Sequence, residues 1–373
     1  MLSTALEVVD IDEAAVAADL RELAAGLDRS GYGEILSCFL PQKAQAHIWA
    51  ETAAKIDGPL RTLVELFLLG RAVPYDDLPP RIAALVPGLT SGGLVQTGQG
   101  GVWLPNLILL RPMGQWLWCQ RPHPSPTMYF GDDSLALVHR MVTYRGGRCL
   151  DLCAGPGVQA LTASLHSAHV TAVEINPVAA ALARTNITMN GLSDRIEVRL
   201  GSLYDVVQGE NFDDIVSNPP LLPVPEDVQF AFVGDGGRDG FDISWTILDG
   251  LPAHLTDRGA ARIVGCVLSD GYVPVVMDDL GDWAAKHDFD VLLTITAHVE
   301  AHKDSSFLRS MSLMSSSISG QPAEYLQERY AADYAELGGS HVTFYELCAR
   351  RGGGSARLAD VSATKRSAEV WFV

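Results

Sequence analysis

Three short stretches of the chain bring together residue types that can do chemistry. In SNPPL, Pro219 and Pro220 fix the backbone beside Asn218. The Asn218 side-chain oxygen and the Pro219 carbonyl can then both accept hydrogen bonds from an NH2 group on a planar nitrogen. Drawing density onto that nitrogen as it rehybridises lets a poor nucleophile attack without a strong base, so catalysis would rest on positioning and electrostatics. In DLCAGPG, Asp151, Gly155 and Gly157 fall where a strand turns into a helix. Glycines there admit a ligand close to the backbone, and the first helical amides point at it. Glu174 lies 23 residues after Asp151, where a carboxylate can accept from both hydroxyls of a ribose. These last two stretches, in that order, indicate a nucleoside site. Gly157 is followed by Val158, Gln159 and Ala160, so the six-residue turn with three glycines is absent and a dinucleotide is disfavoured.

The elements that must hold these residues follow from periodicity. From residue 148, short β-rich runs alternate with helical ones, the pattern of a parallel sheet with crossover helices. Seven strands are expected: RCLDLCA, HVTAVEI, RIEVRL, FDDIVSN, AARIVGCVL, FDVLLTITAHV and HVTFYELCAR. They suit an α/β, Rossmann-like doubly wound sheet. An insertion at about 300–340 separates the last two, and connections of that length tend to be lids or binding elements. Ahead of the sheet, Val16, Leu20, Leu23 and Leu27 stand at helical spacing behind Asp12. Further helical stretches, one around 42–56, lead to two extended apolar runs, GGLVQTG and GVWLPNLILL. Helix, turn, helix and hairpin suggest a smaller, mostly helical, winged-helix-like region. Its second helix, in DDLPPRIAALVPG, has two Asp and one Arg, too few donors to read DNA. The expected division is therefore 1–125 for the N-terminal domain, 126–350 for the sheet domain and 351–373 for a C-terminal tail. Gly352, Gly353 and Gly354 open that tail and read as a flexible connection.

DLCAGPG, VEINPVAAALARTNITMNGL, GSLYD and FDDIVSNPPLLP, in that order and spacing, resemble the motifs of class I S-adenosylmethionine-dependent methyltransferases. The resemblance spans roughly residues 130 to 300. SNPPL is similar to the Asn-Pro-Pro-Tyr group, which includes the release-factor glutamine methyltransferases and the rRNA guanine-N2 methyltransferases. The resemblance implies a seven-stranded methyltransferase sheet, S-adenosylmethionine as cofactor and methyl transfer to nitrogen. It implies that Asp151, Cys153, Gly155 and Gly157 cradle the methionine part of the cofactor, and that Glu174 holds the ribose. Ser202 and Leu203 fall beside the adenine, and Asn218 belongs to the shared site, with Asn218, Pro219 and Pro220 catalytic. Three positions depart from the group's pattern. Cys153 stands for a common glycine, Ser202 for the usual Asp, and Leu221 for the aromatic residue that stacks on the substrate. Without that ring a purine is held less well, which favours an amide, amine or carboxylate acceptor. Tyr129 and Phe130, in SPTMYFGDDS, fall where the group closes a flap and are candidate substrate contacts beside Leu221.

Composition narrows the partners. The chain has 373 residues, 47% hydrophobic and 19% charged, enough apolar material for a folded core. The formal charge of −18 repels phosphate backbones, so nucleic acid is disfavoured. No apolar run reaches the length of a membrane span, and the first twenty residues lack a basic leader, so a cytoplasmic location is expected. Six scattered cysteines show no metal spacing, and no metal or disulfide is expected. Asp235 and Asp239 do not complete a calcium loop, since Thr246 occupies the twelfth position from Asp235. His298 with Glu300 and His302 is the one candidate general-base cluster, although a polar strand edge explains it as well. The leading expectation is methylation of a nitrogen on a small molecule or peptide in a biosynthetic pathway. The alternatives are methylation of RNA or of a protein glutamine side chain, and a cofactor-binding regulator.

Overall fold

The computed structural model describes residues 11–38, 46–123, 126–141, 146–362 and 370–371. The opening helix, Glu13–Arg29, starts where Asp12 accepts from the Ala14 and Ala15 amides, both at 3.1 Å. It buries Val16, Leu20, Leu23 and Leu27, the stripe expected from their spacing. Shorter helices follow, including Ala46–Ala53 within the stretch expected around 42–56, whose positions 42–45 lie outside the described residues. Then come two hairpins, β1 (Gln96–Gly98) with β2 (Gly101–Trp103) and β3 (Leu107–Leu110) with β4 (Leu117–Gln120). The run GVWLPNLILL is broken between β2 and β3, and Asn106 there takes a left-handed φ of 54°.

The remaining strands are β5 (Arg148–Leu152), β6 (His169–Glu174), β7 (Ile196–Leu200) and β8 (Phe212–Ser217), then β9 (Leu255–Ser269), β10 (Phe289–Glu300), β11 (His341–Arg351) and β12 (Ser355–Asp360). They form one sheet in the order β12-β10-β11-β9-β8-β5-β6-β7. The pairs from β7 through to β9 are parallel, and β11 runs antiparallel between β9 and β10. Because β6 and β8 lie on opposite sides of β5, the winding reverses there and opens a crevice at the carboxyl ends of these strands.

All seven expected strands form, and an eighth, β12, lies in the segment read as a flexible tail. Gly352–Gly354 carries the chain from the end of β11 across the start of β10, where β12 pairs with β10 in parallel from Asp290↔Ser355 onward. A Cβ on Gly352 would fall 2.1 Å from the Asp290 carboxylate, so glycine serves a close crossing here, not flexibility.

The N-terminal elements share a hydrophobic cluster with the sheet; Val16, Phe67 and Trp118 belong to it together with Val170 and Leu182. The crossover helix Pro177–Met189 anchors them. Fully buried Asn186 accepts from the Trp118 amide at 2.7 Å and donates to the Trp118 and Pro156 carbonyls at 2.9 and 2.8 Å. Asn190, one turn on, makes the same reciprocal pair with Trp116. The insertion folds as two helices, Ser306–Ser319 and Ala323–Glu336. Among the described residues no helix is long and apolar enough to cross a membrane.

Candidate active site

The carboxyl ends of β5 to β8 open into a cavity of about 800 Å3. Cys153 and Gly155 line it where the chain leaves β5, and with Gly157 just behind them they all have positive φ, at 58°, 54° and 89°. Glycine adopts this conformation freely, whereas Cys153 bears the penalty of a side chain there. Burial and the neighbouring Glu174 push the Cys153 thiol up to about 12, so it is protonated at neutral pH.

Glu174 is the last residue of β6 and is 7% exposed. Its two oxygens accept from the Gly155 and Asn176 amides, each at 2.7 Å, fixing the carboxylate against the glycine turn. Burial raises its pKa, and these amides oppose the rise. A carboxylate offers about four acceptor directions, so capacity remains for a ligand hydroxyl. Ser202 and Leu203 follow β7 on the same rim, and the Gly201 amide donates to the Glu174 carbonyl at 3.0 Å.

Cys153, Gly155, Glu174, Ser202, Leu203, Asn218, Pro219, Pro220 and Leu221 all line this cavity, as do Tyr129 and Phe130. Asp151 and Gly157 do not line it. Asp151 is fully buried, and one carboxylate oxygen accepts from the Ala160 amide at 3.0 Å, holding the helix Val158–Ala163 behind the turn. Burial lifts its pKa well above the usual range. Gly157 is fixed from behind, since a Cβ there would lie 3.3 Å from that of Ala183.

Asn218 follows β8. Its Nδ2 donates to Ser134 Oγ at 3.0 Å, while its Oδ1 is buried without a protein partner. Ser134 lies in the first turn of the helix Asp132–Arg140, which packs over the cavity, and it was not singled out by sequence. Just upstream, the Tyr129 hydroxyl bonds the Asp133 carboxylate, and burial with that neighbour raises the phenol pKa. A Cβ on Gly131 would meet the Tyr129 hydroxyl at 2.1 Å, so a side chain there would have to displace the tyrosine ring. Gln159 is a second residue that sequence reasoning passed over. It is 3% exposed, lines the cavity and presents Nε2 without a protein partner.

Asp235 lies on the cavity rim and Asp239 accepts from the Phe241 amide at 2.8 Å, ahead of the helix Asp242–His254. The histidine cluster lies elsewhere. His298 bonds Thr343 at 2.8 Å and Asp360 at 3.3 Å across β10, β11 and β12, and His302 forms an exposed pair with Glu300. The outer wall comes from outside the sheet motifs, with Trp49 from the N-terminal helices, Phe307, Met311 and Met314 from the insertion, and Trp371 from the last residues.

A doubly wound sheet with a carboxylate ending its second parallel strand and an Asn-Pro-Pro turn ending its fourth defines a nucleoside-cofactor transferase. Residues 130–266 match the family model of the methyltransferase small domain. Over 124 residues the chain is 36% identical to a ribosomal protein uL3 glutamine methyltransferase of Bradyrhizobium diazoefficiens, covering 30% of this chain and 38% of that protein. Over 140 residues it is 32% identical to a Methanocaldococcus jannaschii protein named provisionally as a protein N5-glutamine methyltransferase, covering 36% of this chain and 68% of that protein. Over 121 residues it is 35% identical to a release factor glutamine methyltransferase of Cereibacter sphaeroides, covering 30% of this chain and 43% of that protein. The chain thus spans less than half the length of the two bacterial enzymes. It belongs to the class I S-adenosylmethionine-dependent methyltransferases and is similar to their glutamine-N5 members.

The residues present fit that family's cofactor, S-adenosylmethionine. The left-handed turn at Gly155 leaves open backbone, and the Glu174 carboxylate is already oriented by two amides. The cavity is large enough for a nucleoside and an acceptor together.

Proposed function

We propose that the protein transfers a methyl group from S-adenosylmethionine to the amide nitrogen of a glutamine side chain carried on a peptide or protein. The observation that carries this reading is the Asn218 Oδ1, buried in the cavity wall with no protein partner while Ser134 occupies the other end of the amide. An unpaired buried acceptor costs about 1–3 kcal/mol, so the position favours a ligand N–H. The names of the relatives bring the glutamine alternative ahead of the small-molecule reading.

In this reading S-adenosylmethionine, when bound, supplies an electrophilic methyl group on its sulfonium. Glu174 would accept from the ribose hydroxyls, Ser202 and Leu203 would border the adenine, and the Cys153–Gly157 turn would receive the methionine part, with Asp151 supporting it from behind. Asn218 Oδ1 and the Pro219 carbonyl accept from the acceptor NH2 and turn its lone pair toward the methyl group. Pro220 holds the turn rigid. The nitrogen would bond the methyl carbon as the carbon–sulfur bond breaks, the sulfur leaving as the neutral thioether S-adenosylhomocysteine, and the extra N–H proton would pass to water, so no titrating side chain is required. Tyr129, Phe130 and Leu221 contact the acceptor. Residues 126–350 serve as the catalytic unit, and Trp49 from 1–125 and Trp371 from 351–373 contribute to its walls.

The test is methyl transfer from labelled S-adenosylmethionine to a glutamine-containing peptide, with the site located by mass spectrometry. Label on the glutamine nitrogen, lost in Asn218→Ala, is expected. Label confined to small molecules or RNA overturns the glutamine reading.

A further inference from the structure

The cofactor-side residues lie at the strand ends, but the cavity is also lined by apolar side chains that come mostly from outside the cofactor motifs. Leu221, Phe307, Met311, Met314, Phe344 and Trp371 all face it. This wall is fixed in place. The Trp371 ring, 2% exposed, meets Phe344 edge-on at 5.1 Å and 84°. The main chain beside it is held at two points, Thr296 Oγ1 donating to the Val370 carbonyl at 2.7 Å and Arg140 donating to the Trp371 carbonyl. Arg140 closes the helix whose Ser134 holds Asn218, so one rigid element reaches both the candidate catalytic amide and the Trp371 wall.

The insertion is locked as firmly. Arg238 bonds Asp333 at 2.6 Å, Arg329 bonds Asp227 at 2.7 Å, and the Tyr334 hydroxyl donates to the Pro223 carbonyl at 2.6 Å. These contacts tie the helix Ala323–Glu336 to the loop that follows the Asn-Pro-Pro turn, and its partner Ser306–Ser319 presents Phe307, Met311 and Met314 to the cavity. A surface this apolar, continuous with the Asn218 subsite and ordered in advance, gains free energy only by covering an apolar group. Methionines suit an occupant of irregular shape.

We infer that the acceptor carries a bulky apolar side chain next to the methylated glutamine, and that the wall of Phe307, Met311, Met314, Phe344 and Trp371 holds it. This rests on the glutamine reading above. Trp371, near the end of the chain, is a specificity-determining residue.

The experiment uses the full chain and two peptides that differ only in the residues flanking a central glutamine, glycine in one and phenylalanine in the other. Methyl transfer is read by mass spectrometry, and peptide binding by calorimetry with S-adenosylhomocysteine present. The phenylalanine-flanked peptide is expected to be methylated at least about tenfold better, the effect of burying one large side chain. Trp371→Ala should remove most of that preference, Trp371→Phe should keep it, and affinity for S-adenosylhomocysteine should not change. If Trp371→Ala does not fold, Met311→Ser tests the same wall. Equal methylation of the two peptides overturns the inference and leaves the glutamine reading standing. If neither peptide is methylated, the glutamine reading fails and binding decides the wall: Trp371-dependent preference for the phenylalanine peptide upholds it, and equal or absent binding overturns it.

Discussion

Asn218 donates to Ser134 across 3.0 Å, and this bond determines which end of the amide faces the cavity. With Nδ2 engaged, Oδ1 is left as an acceptor, the polarity an incoming NH2 group requires. Ser134 touches the candidate catalytic side chain from a helix 84 residues away in sequence, so its role is to position. Ser134→Ala should let the amide rotate and lower kcat by about tenfold to a hundredfold, a range typical of a misplaced reacting group. Ser134→Thr, which keeps the hydroxyl, should recover most of the rate, and S-adenosylhomocysteine affinity should be unchanged in both. Equal loss in both variants would show that packing, not the hydrogen bond, matters there.

Glu174 makes cofactor affinity depend on pH in a defined direction. Its ionised form is the better acceptor for two hydroxyls, and burial raises its pKa above the ordinary 4.5. The ionised form is therefore lost as pH falls through that raised value, in a window above that of an ordinary carboxylate. S-adenosylhomocysteine binding should weaken through this window, approaching tenfold per pH unit below it. In Glu174→Gln the dependence should flatten and binding should be weak throughout. Calorimetric titrations at several pH values check this, and an unchanged slope in the variant would assign the dependence to another group.

How much of this was legible in the sequence depended on range. The strands, the glycine turn, Glu174 and the Asn-Pro-Pro turn are local patterns, and each lies on the strand end its sequence context indicated. Gly352–Gly354 was misread because composition alone cannot separate a hinge from a close crossing; only the Asp290 side chain beneath it does. Ser134, Gln159 and Trp371 were missed for a related reason. Ser134 and Trp371 act through partners far along the chain, and a serine in a helical turn or a tryptophan near a terminus carries no local mark of that partner; Gln159 is marked only by its burial beside the cavity, which the fold creates. Asp151 was grouped with the glycines because it precedes them, yet its carboxylate faces the helix behind the turn.

Asn186 joins three parts of the molecule through one amide, and its loss should be felt in stability and in binding. Asn186→Ala would leave the Trp118 amide and the Trp118 and Pro156 carbonyls without this partner inside the protein. Unsatisfied buried groups of this kind cost about 1–3 kcal/mol each, so a loss of about 3 kcal/mol in urea denaturation is expected. Because Pro156 belongs to the glycine turn, S-adenosylhomocysteine affinity should fall as well. Asn186→Asp keeps the acceptor for the Trp118 amide but loses both donors, and it should also be destabilised. A change under about 0.5 kcal/mol in either variant, the range of neutral surface substitutions, would mean that the N-terminal hairpin is not held by this residue.

His298 separates positioning from acid–base catalysis. It bonds Thr343 at 2.8 Å, and Thr343 bonds Ser269 at 2.6 Å, so the imidazole belongs to a polar chain across β10, β11 and β9. It does not line the cavity, and the Asn218 geometry calls for no base. His298→Ala should therefore leave kcat and its pH profile unchanged while lowering stability by about 1 kcal/mol for the lost hydrogen bonds. Rate measurements between pH 6 and 9 on both proteins, with a thermal melt of each, decide the matter. Disappearance of an acidic limb from the rate profile of the variant would reinstate His298 as a general base and remove the argument that Asn218 acts by orientation alone.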